Sequence, residues 1–147
     1  MMKIAIPAIA LLGLACGDAL AQGAPPQSTV RGTMMPLAAV PFARDPDVPC
    51  LASAIGSGDA TKGPSTWILR APVGCVVPWH SHTVQEQLFV VSGDVKAEMS
   101  GHPPAHFGPG GFAMMGGRMA HQFTCQGTEA CVMFIAFDGP YDIKWGK

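Results

Sequence analysis

His80 and His82, with Glu86 four residues further on, interrupt a stretch that is otherwise largely apolar or small: Gly74-Cys75-Val76-Val77-Pro78-Trp79-His80-Ser81-His82-Thr83-Val84-Gln85-Glu86, running on to Gly93. Alternate residues of a β-strand share a face, so the two imidazoles point the same way. Glu86 cannot join them on a straight strand, because at roughly 3.3 Å per residue it would lie about 20 Å from His80. A chain that brings all three together has to bend at residues 83–85. With that bend, two imidazoles and a carboxylate converge into a donor set for a transition metal with open positions. Burying Glu86 without a partner is costly, and a cation removes that cost.

The rest of the chain punctuates itself as short strands. Eighteen glycines and 14 prolines fall within 147 residues, 48% of which are hydrophobic and 13% charged. That composition excludes a disordered or coiled-coil chain and suits strands joined by turns. Candidate strands are residues 50–55, 66–71, 76–82, 87–92, 95–99, 112–115, 120–124 and 130–137, with a short last one at 141–145. Gly93-Asp94 reads as a hairpin turn between two of them. Residues 57–64 form a polar loop. The proline- and glycine-rich connection at 101–111 carries His102 and His106, which read as solvated loop histidines. No stretch keeps a helical period, so the pattern predicts an all-β sandwich or barrel in a single domain. Formal net charge is −1 with no basic run, which argues against nucleic-acid binding. Beyond the first residues no segment has the ~18 apolar residues of a membrane span.

Residues 1–21 read as a secretory signal peptide: Lys3 supplies a positive start, an apolar run follows, and Ala19-Leu20-Ala21 offers a small-x-small cleavage site before Gln22. A lipid-anchored alternative through Cys16 is disfavoured, because Gly13-Leu14-Ala15 lacks the usual leucine three positions upstream. The expectation is a periplasmic or secreted protein. Residues 22–46, rich in alanine and proline, read as an N-terminal arm packing along the edge of a folded body at 47–147. Export permits disulfides among Cys50, Cys75, Cys125 and Cys131. Cys125 and Cys131 flank what looks like a hairpin turn, so that bridge is favoured over two buried thiols. Cys75 has opposite strand parity to His80 and His82 and is expected to face away from them.

These residues carry a family resemblance. Gly74-x5-His80-x-His82-x3-Glu86-x6-Gly93 resembles the first motif of the cupin superfamily at every defined position. The second motif, Gly-x5-Pro-x-Gly-x2-His-x3-Asn, is matched at Gly110 and His121, while Gly116, Arg118 and Cys125 hold its proline, second-glycine and asparagine positions. Within the superfamily the chain is similar to small single-domain members described as quercetin-dioxygenase-like. The resemblance implies a jelly-roll β-barrel. It implies His80, His82, Glu86 and His121 as ligands of a divalent transition metal (iron, manganese, nickel, copper or zinc), and a homodimer.

Strand alternation places Met114, Phe123, Leu88, Val90 and Met133 inward and Trp79 outside the barrel. Arg118 is either a surface charge or a clamp for an anionic substrate. An apolar cavity beside a metal suits a small-molecule substrate. Three functions fit: a metal-dependent oxygenase, in which Glu86 serves as ligand or as catalytic base; a non-oxidative enzyme (isomerase, decarboxylase, lyase or hydrolase) using the ion as a Lewis acid; or a ligand-binding module without turnover. The oxygenase is the favoured reading.

Overall fold

A computed structural model describes residues 32–147, so the expected signal peptide, Cys16 and the first part of the arm lie outside the described residues. The body is built of eleven strands: β1 (Ala43–Arg44), β2 (Ala52–Gly58), β3 (Ser65–Ala71), β4 (Val76–Ser81), β5 (Glu86–Ser92), β6 (Asp94–Met99), β7 (Ala105–Phe107), β8 (Phe112–Met115), β9 (His121–Gln126), β10 (Cys131–Phe137) and β11 (Lys144–Trp145). They form two antiparallel sheets, one of six strands in the order β1-β2-β3-β10-β5-β8 and one of five in the order β11-β4-β9-β6-β7. This is the expected all-β jelly roll.

Period-2 patterning explains which faces meet. Along β5, Glu86, Leu88 and Val90 are buried while Phe89 and Val91 are exposed; along β9, His121, Phe123 and Cys125 are buried. Leu88, Met133, Ile135 and Val95 are almost completely enclosed between the sheets. Each such side chain contributes about 1.5–3 kcal/mol by leaving water. The metal-site residues lie in this same interior, at its edge nearest the β4–β5 bend.

Four sequence expectations change. Gly93 is not part of a hairpin, because β5 and β6 belong to different sheets. It is the corner at which the chain crosses between them, with φ +81°. A side chain there would put its Cβ 2.7 Å from the Cα of Cys131, so both the dihedral and the space call for glycine. Residues 127–130 are likewise a crossing and not a hairpin, since β9 and β10 lie in different sheets. The Cys125–Cys131 bridge nevertheless forms, with a Cα–Cα separation of 5.7 Å, and spans that crossing. Met114 points outward and is 51% exposed; β8 alternates so that Ala113 and Met115 fill the core.

The fourth change concerns parity along β4. Val77 pairs with Phe123 and His80 with His121, so β4 spends three residues where β9 spends two. This β-bulge at Pro78 and Trp79 puts Val77 and His80 on the same, inward side. Cys75 is therefore buried in the core and not turned away from it, and it is bonded to Cys50. Trp79 lies partly buried under the Lys147 ammonium, 4.0 Å from the ring centre. Within the expected arm, β1 pairs with β2. The connection at 101–111 includes β7, and His102 and His106 are both exposed.

Candidate metal centre

The chain makes the bend that the histidine–glutamate spacing demanded. His80 is on β4 in the five-stranded sheet, and His82 lies just past its end. Glu86 opens β5 in the six-stranded sheet, and residues 83–85 cross between the two. Side chains and backbone from elsewhere hold this crossing in place. The Thr83 amide and hydroxyl donate to the two carboxylate oxygens of Asp142 at 2.7 and 2.6 Å, and the Gln85 amide donates to Asp138 at 2.9 Å. The Arg118 amide donates to the His82 carbonyl at 2.7 Å. Gly117 packs so closely that a Cβ on it would lie 2.6 Å from the Thr83 carbonyl oxygen.

His121 enters from β9, directly opposite His80 in the register. His80, His82, Glu86 and His121 are each 3–4% exposed, and one donor atom from each lies within 4.8 Å of every other. A single ion with bonds of about 2.0–2.2 Å reaches all four after small side-chain shifts.

The hydrogen bonds around the ligands select the form that binds metal. His80 Nδ1 donates to the Pro78 carbonyl at 2.7 Å, His121 Nδ1 to the Met119 carbonyl at 2.8 Å, and His82 Nδ1 to the Asp142 carbonyl. A carbonyl only accepts, so each Nδ1 carries a hydrogen and each neutral ring keeps its Nε2 lone pair free. Two of those Nε2 atoms lie 3.0 and 3.1 Å from the same Glu86 oxygen. Lone pairs facing a carboxylate repel unless a proton or a cation lies among them. The donor set thus fits a divalent transition metal on its own chemistry.

The charges of the metal-free site respond in the same sense. There a proton on Nε2 takes the cation's place: burial raises the Glu86 carboxyl, but hydrogen bonds from His121 and His82 in that protonated form outweigh it and hold the group down at about 2. Burial, then the neighbouring His121, pushes His80 down to about 4. Burial lowers His82, but the Glu86 hydrogen bond and charge, with the Asp142 carbonyl, leave it raised overall.

A narrow cavity of about 50 Å³ opens onto the ligands. Its walls include Trp67, Phe123, Phe137, Tyr141, Trp145 and, from the N-terminal side, Asp45. Tyr141 is the chain's single tyrosine; its ring centre is 5.3 Å from that of His82 and 5.0 Å from that of Trp67. Burial, followed by the charges of Asp45, Glu86, Asp47 and Asp142, pushes its phenol up to about 12. Of the expected inward residues only Phe123 borders the cavity; Leu88, Val90 and Met133 are core beyond it. Arg118 is exposed and lies off the cavity.

Asp45, Trp67, Asp138, Tyr141 and Asp142 were not among the expected site residues. The one sequence signal for the last three was the turn-rich Asp138-Gly139-Pro140-Tyr141-Asp142 after the final long strand.

Residues 67–137 match the family model of the Cupin domain. A stretch of 58 residues is 34% identical to dimethylsulfoniopropionate lyase DddQ of Ruegeria pomeroyi, covering 38% of this chain and 29% of that enzyme. The chain therefore spans well under half the length of this curated relative. The crystal structure of that lyase superposes with a TM-score of 0.61 at 19% identity, over 71% of this chain and 56% of the other. The polyketide cyclase RemF of Streptomyces resistomycificus superposes with a TM-score of 0.66 at 13% identity, over 80% and 87%. At such identities the superpositions establish the cupin fold alone.

Proposed function

We propose that this cupin is a metal-dependent enzyme of the non-oxidative kind, a lyase that eliminates a leaving group from a small organic molecule. The observation that carries the reading is the stretch 34% identical to a dimethylsulfoniopropionate lyase, taken with the buried His80, His82, Glu86 and His121. It is preferred to the oxygenase favoured by the motif because that curated relative is a lyase. A bound divalent ion would act as a Lewis acid toward a substrate carbonyl or carboxylate.

The chain's own residues supply the rest. Glu86, the only buried acid among the described residues, would share the ion with the three imidazoles and is our candidate base for the proton on substrate carbon. Tyr141 keeps its phenolic proton at neutral pH and can donate a hydrogen bond to a substrate oxygen. The aromatic walls exclude water from the reacting atoms.

Elimination from dimethylsulfoniopropionate removes a proton from the carbon next to the carboxylate, breaks the carbon–sulfur bond, and leaves acrylate and dimethyl sulfide. The test is to load the protein with zinc, manganese or iron in turn, supply this compound and related β-substituted carboxylates, and follow alkene formation and oxygen together. Alkene without oxygen uptake is the expected result. Oxygen consumed in step with substrate would overturn the reading.

Export and a homodimer belong to the same proposal. Two disulfides, Cys50–Cys75 and Cys125–Cys131, support an oxidising compartment. A row of outward residues across the six-stranded sheet, Phe112, Phe89 and Phe134, supports a pairing face. The mass of the mature protein, starting at Gln22, tests export. Sedimentation of Phe89→Lys tests the dimer.

A further inference from the structure

The cavity has an unequal distribution of charge. Two acids, Asp45 and Glu86, line it, and among the described residues no lysine or arginine does. When a divalent ion sits on three neutral imidazoles and Glu86, that end of the cavity becomes net positive. Asp45 is then the remaining charge, and it comes from a segment outside the matched cupin region at 67–137.

Asp45 is held in position. One of its carboxylate oxygens accepts the backbone amides of Asp47 and Val48, each at 2.9 Å. Its own amide donates to the Leu51 carbonyl at 2.9 Å. Among the described residues no cation pairs with it, and its second carboxylate oxygen accepts no hydrogen bond there. One oxygen of this half-buried carboxylate is thus engaged by backbone amides, and the other is left for a ligand in the cavity that Asp45 lines.

The same cavity is walled by aromatic rings. Trp67 and Tyr141 are 5.0 Å apart centre to centre and tilted at 40°, with Phe137 5.2 Å from Tyr141. Ring faces attract cations, and more strongly where water is excluded. A bare ammonium is strongly hydrated and loses much on entering such walls. A methylated cation loses far less and fills them with apolar surface.

We propose that the cavity selects small zwitterions: a methylated onium group held between Asp45 and the rings of Trp67 and Tyr141, with the anionic end toward the metal centre. Asp45 is the residue that sets this charge preference. The inference deepens the reading above and rests on this cavity being the substrate site.

The test compares two molecules of the same shape, trimethylglycine and 3,3-dimethylbutanoate, which differ in having a cationic nitrogen or a neutral carbon at the branch point. Their affinities for the zinc-loaded full chain are measured by calorimetry. The cationic probe is expected to bind about tenfold more tightly. Asp45→Asn keeps the oxygen that caps residues 47 and 48. It should bring the ratio close to one, leaving the neutral probe and the zinc content unchanged. Trp67→Leu should weaken the cationic probe more than the neutral one. Equal affinities in the native protein, binding of neither probe, or a preference that survives Asp45→Asn would each overturn the inference. A protein that prefers the cation yet forms no alkene keeps this inference and loses the lyase reading. One that eliminates from uncharged substrates without any cation preference does the reverse.

Discussion

The two segments that meet at the metal centre reach it by different means. Residues 80–86 deliver three candidate ligands across a gap between sheets, and their bend is clamped from outside by Asp138, Asp142 and the Arg118 amide. Residues 116–121 deliver one ligand on a regular strand, and His121 is oriented by a carbonyl only two residues away. The first segment matches its motif throughout; the second departs at Gly116 and Arg118. The contrast shows what each motif position does. The Met119 carbonyl holds His121, and the side chains at 116 and 118 are not called on for it. The bend of the first segment has no such local support.

The largest expected effect comes from breaking the first segment at a ligand. His82→Ala should lose more than about tenfold in metal affinity, and with it the stabilisation by bound metal, which ties strands of both sheets together. Metal content and melting temperature check this, and unchanged values would refute a shared site.

Acidification of metal-free protein comes next. His80 lies at about 4 in the fold against roughly 6.5 unfolded, so the unfolded chain takes up its proton first. That contribution is intact above pH 6.5 and is lost as pH falls from 6.5 to 4, about 3 kcal/mol in all. His82, raised, works oppositely: its share is present below 6.5 and lost as pH rises through its folded value. Glu86, lowered to about 2, loses its share only between 4.5 and 2. Denaturant titrations at pH 7 and pH 4.5 should reveal the His80 slope, and His80→Gln should flatten it.

A smaller effect is expected from Asp142→Ala, which removes both hydrogen bonds to Thr83. It should cost roughly 1–3 kcal/mol and weaken metal binding about tenfold, although Asp142 supplies no side-chain ligand. Chemical denaturation and metal titration measure the two.

The smallest effect sharpens the second segment. Arg118 has φ 65°, a left-handed conformation that costs an ordinary residue about 1 kcal/mol. The cupin motif has glycine at this position, and glycine adopts that conformation without strain. Arg118→Gly should raise stability by up to about 1 kcal/mol with ligand binding unchanged. A loss of stability would mean that Arg118 contributes a contact of its own.

Much of this was legible in the chain. Strand positions, the all-β class and the need for a bend at residues 83–85 follow from alternation and spacing, which are local. Alternation failed where backbone geometry departs from a regular strand. The bulge at Pro78 inverted the parity of Cys75 relative to His80, and one residue of phase in β8 turned Met114 outward. Gly93 and the Cys125–Cys131 loop looked like hairpins because a crossing between sheets uses the same short, glycine-bearing turns. Sequence carries no mark of which strand the next one pairs with.

From the order of residues alone come His80, His82 and Glu86 as metal-ligand candidates, with His121 added by the family resemblance, and the alternating faces that bury them, because those features depend on residue chemistry and on the two-residue period of a strand. Only the folded structure decides that the oxygen of Glu86 near His82 also meets His121, that His82 is turned by the Asp142 carbonyl, and that Asp45 and Tyr141 line the same cavity. These are contacts between distant segments, set by the register of two sheets and by the corners that join them.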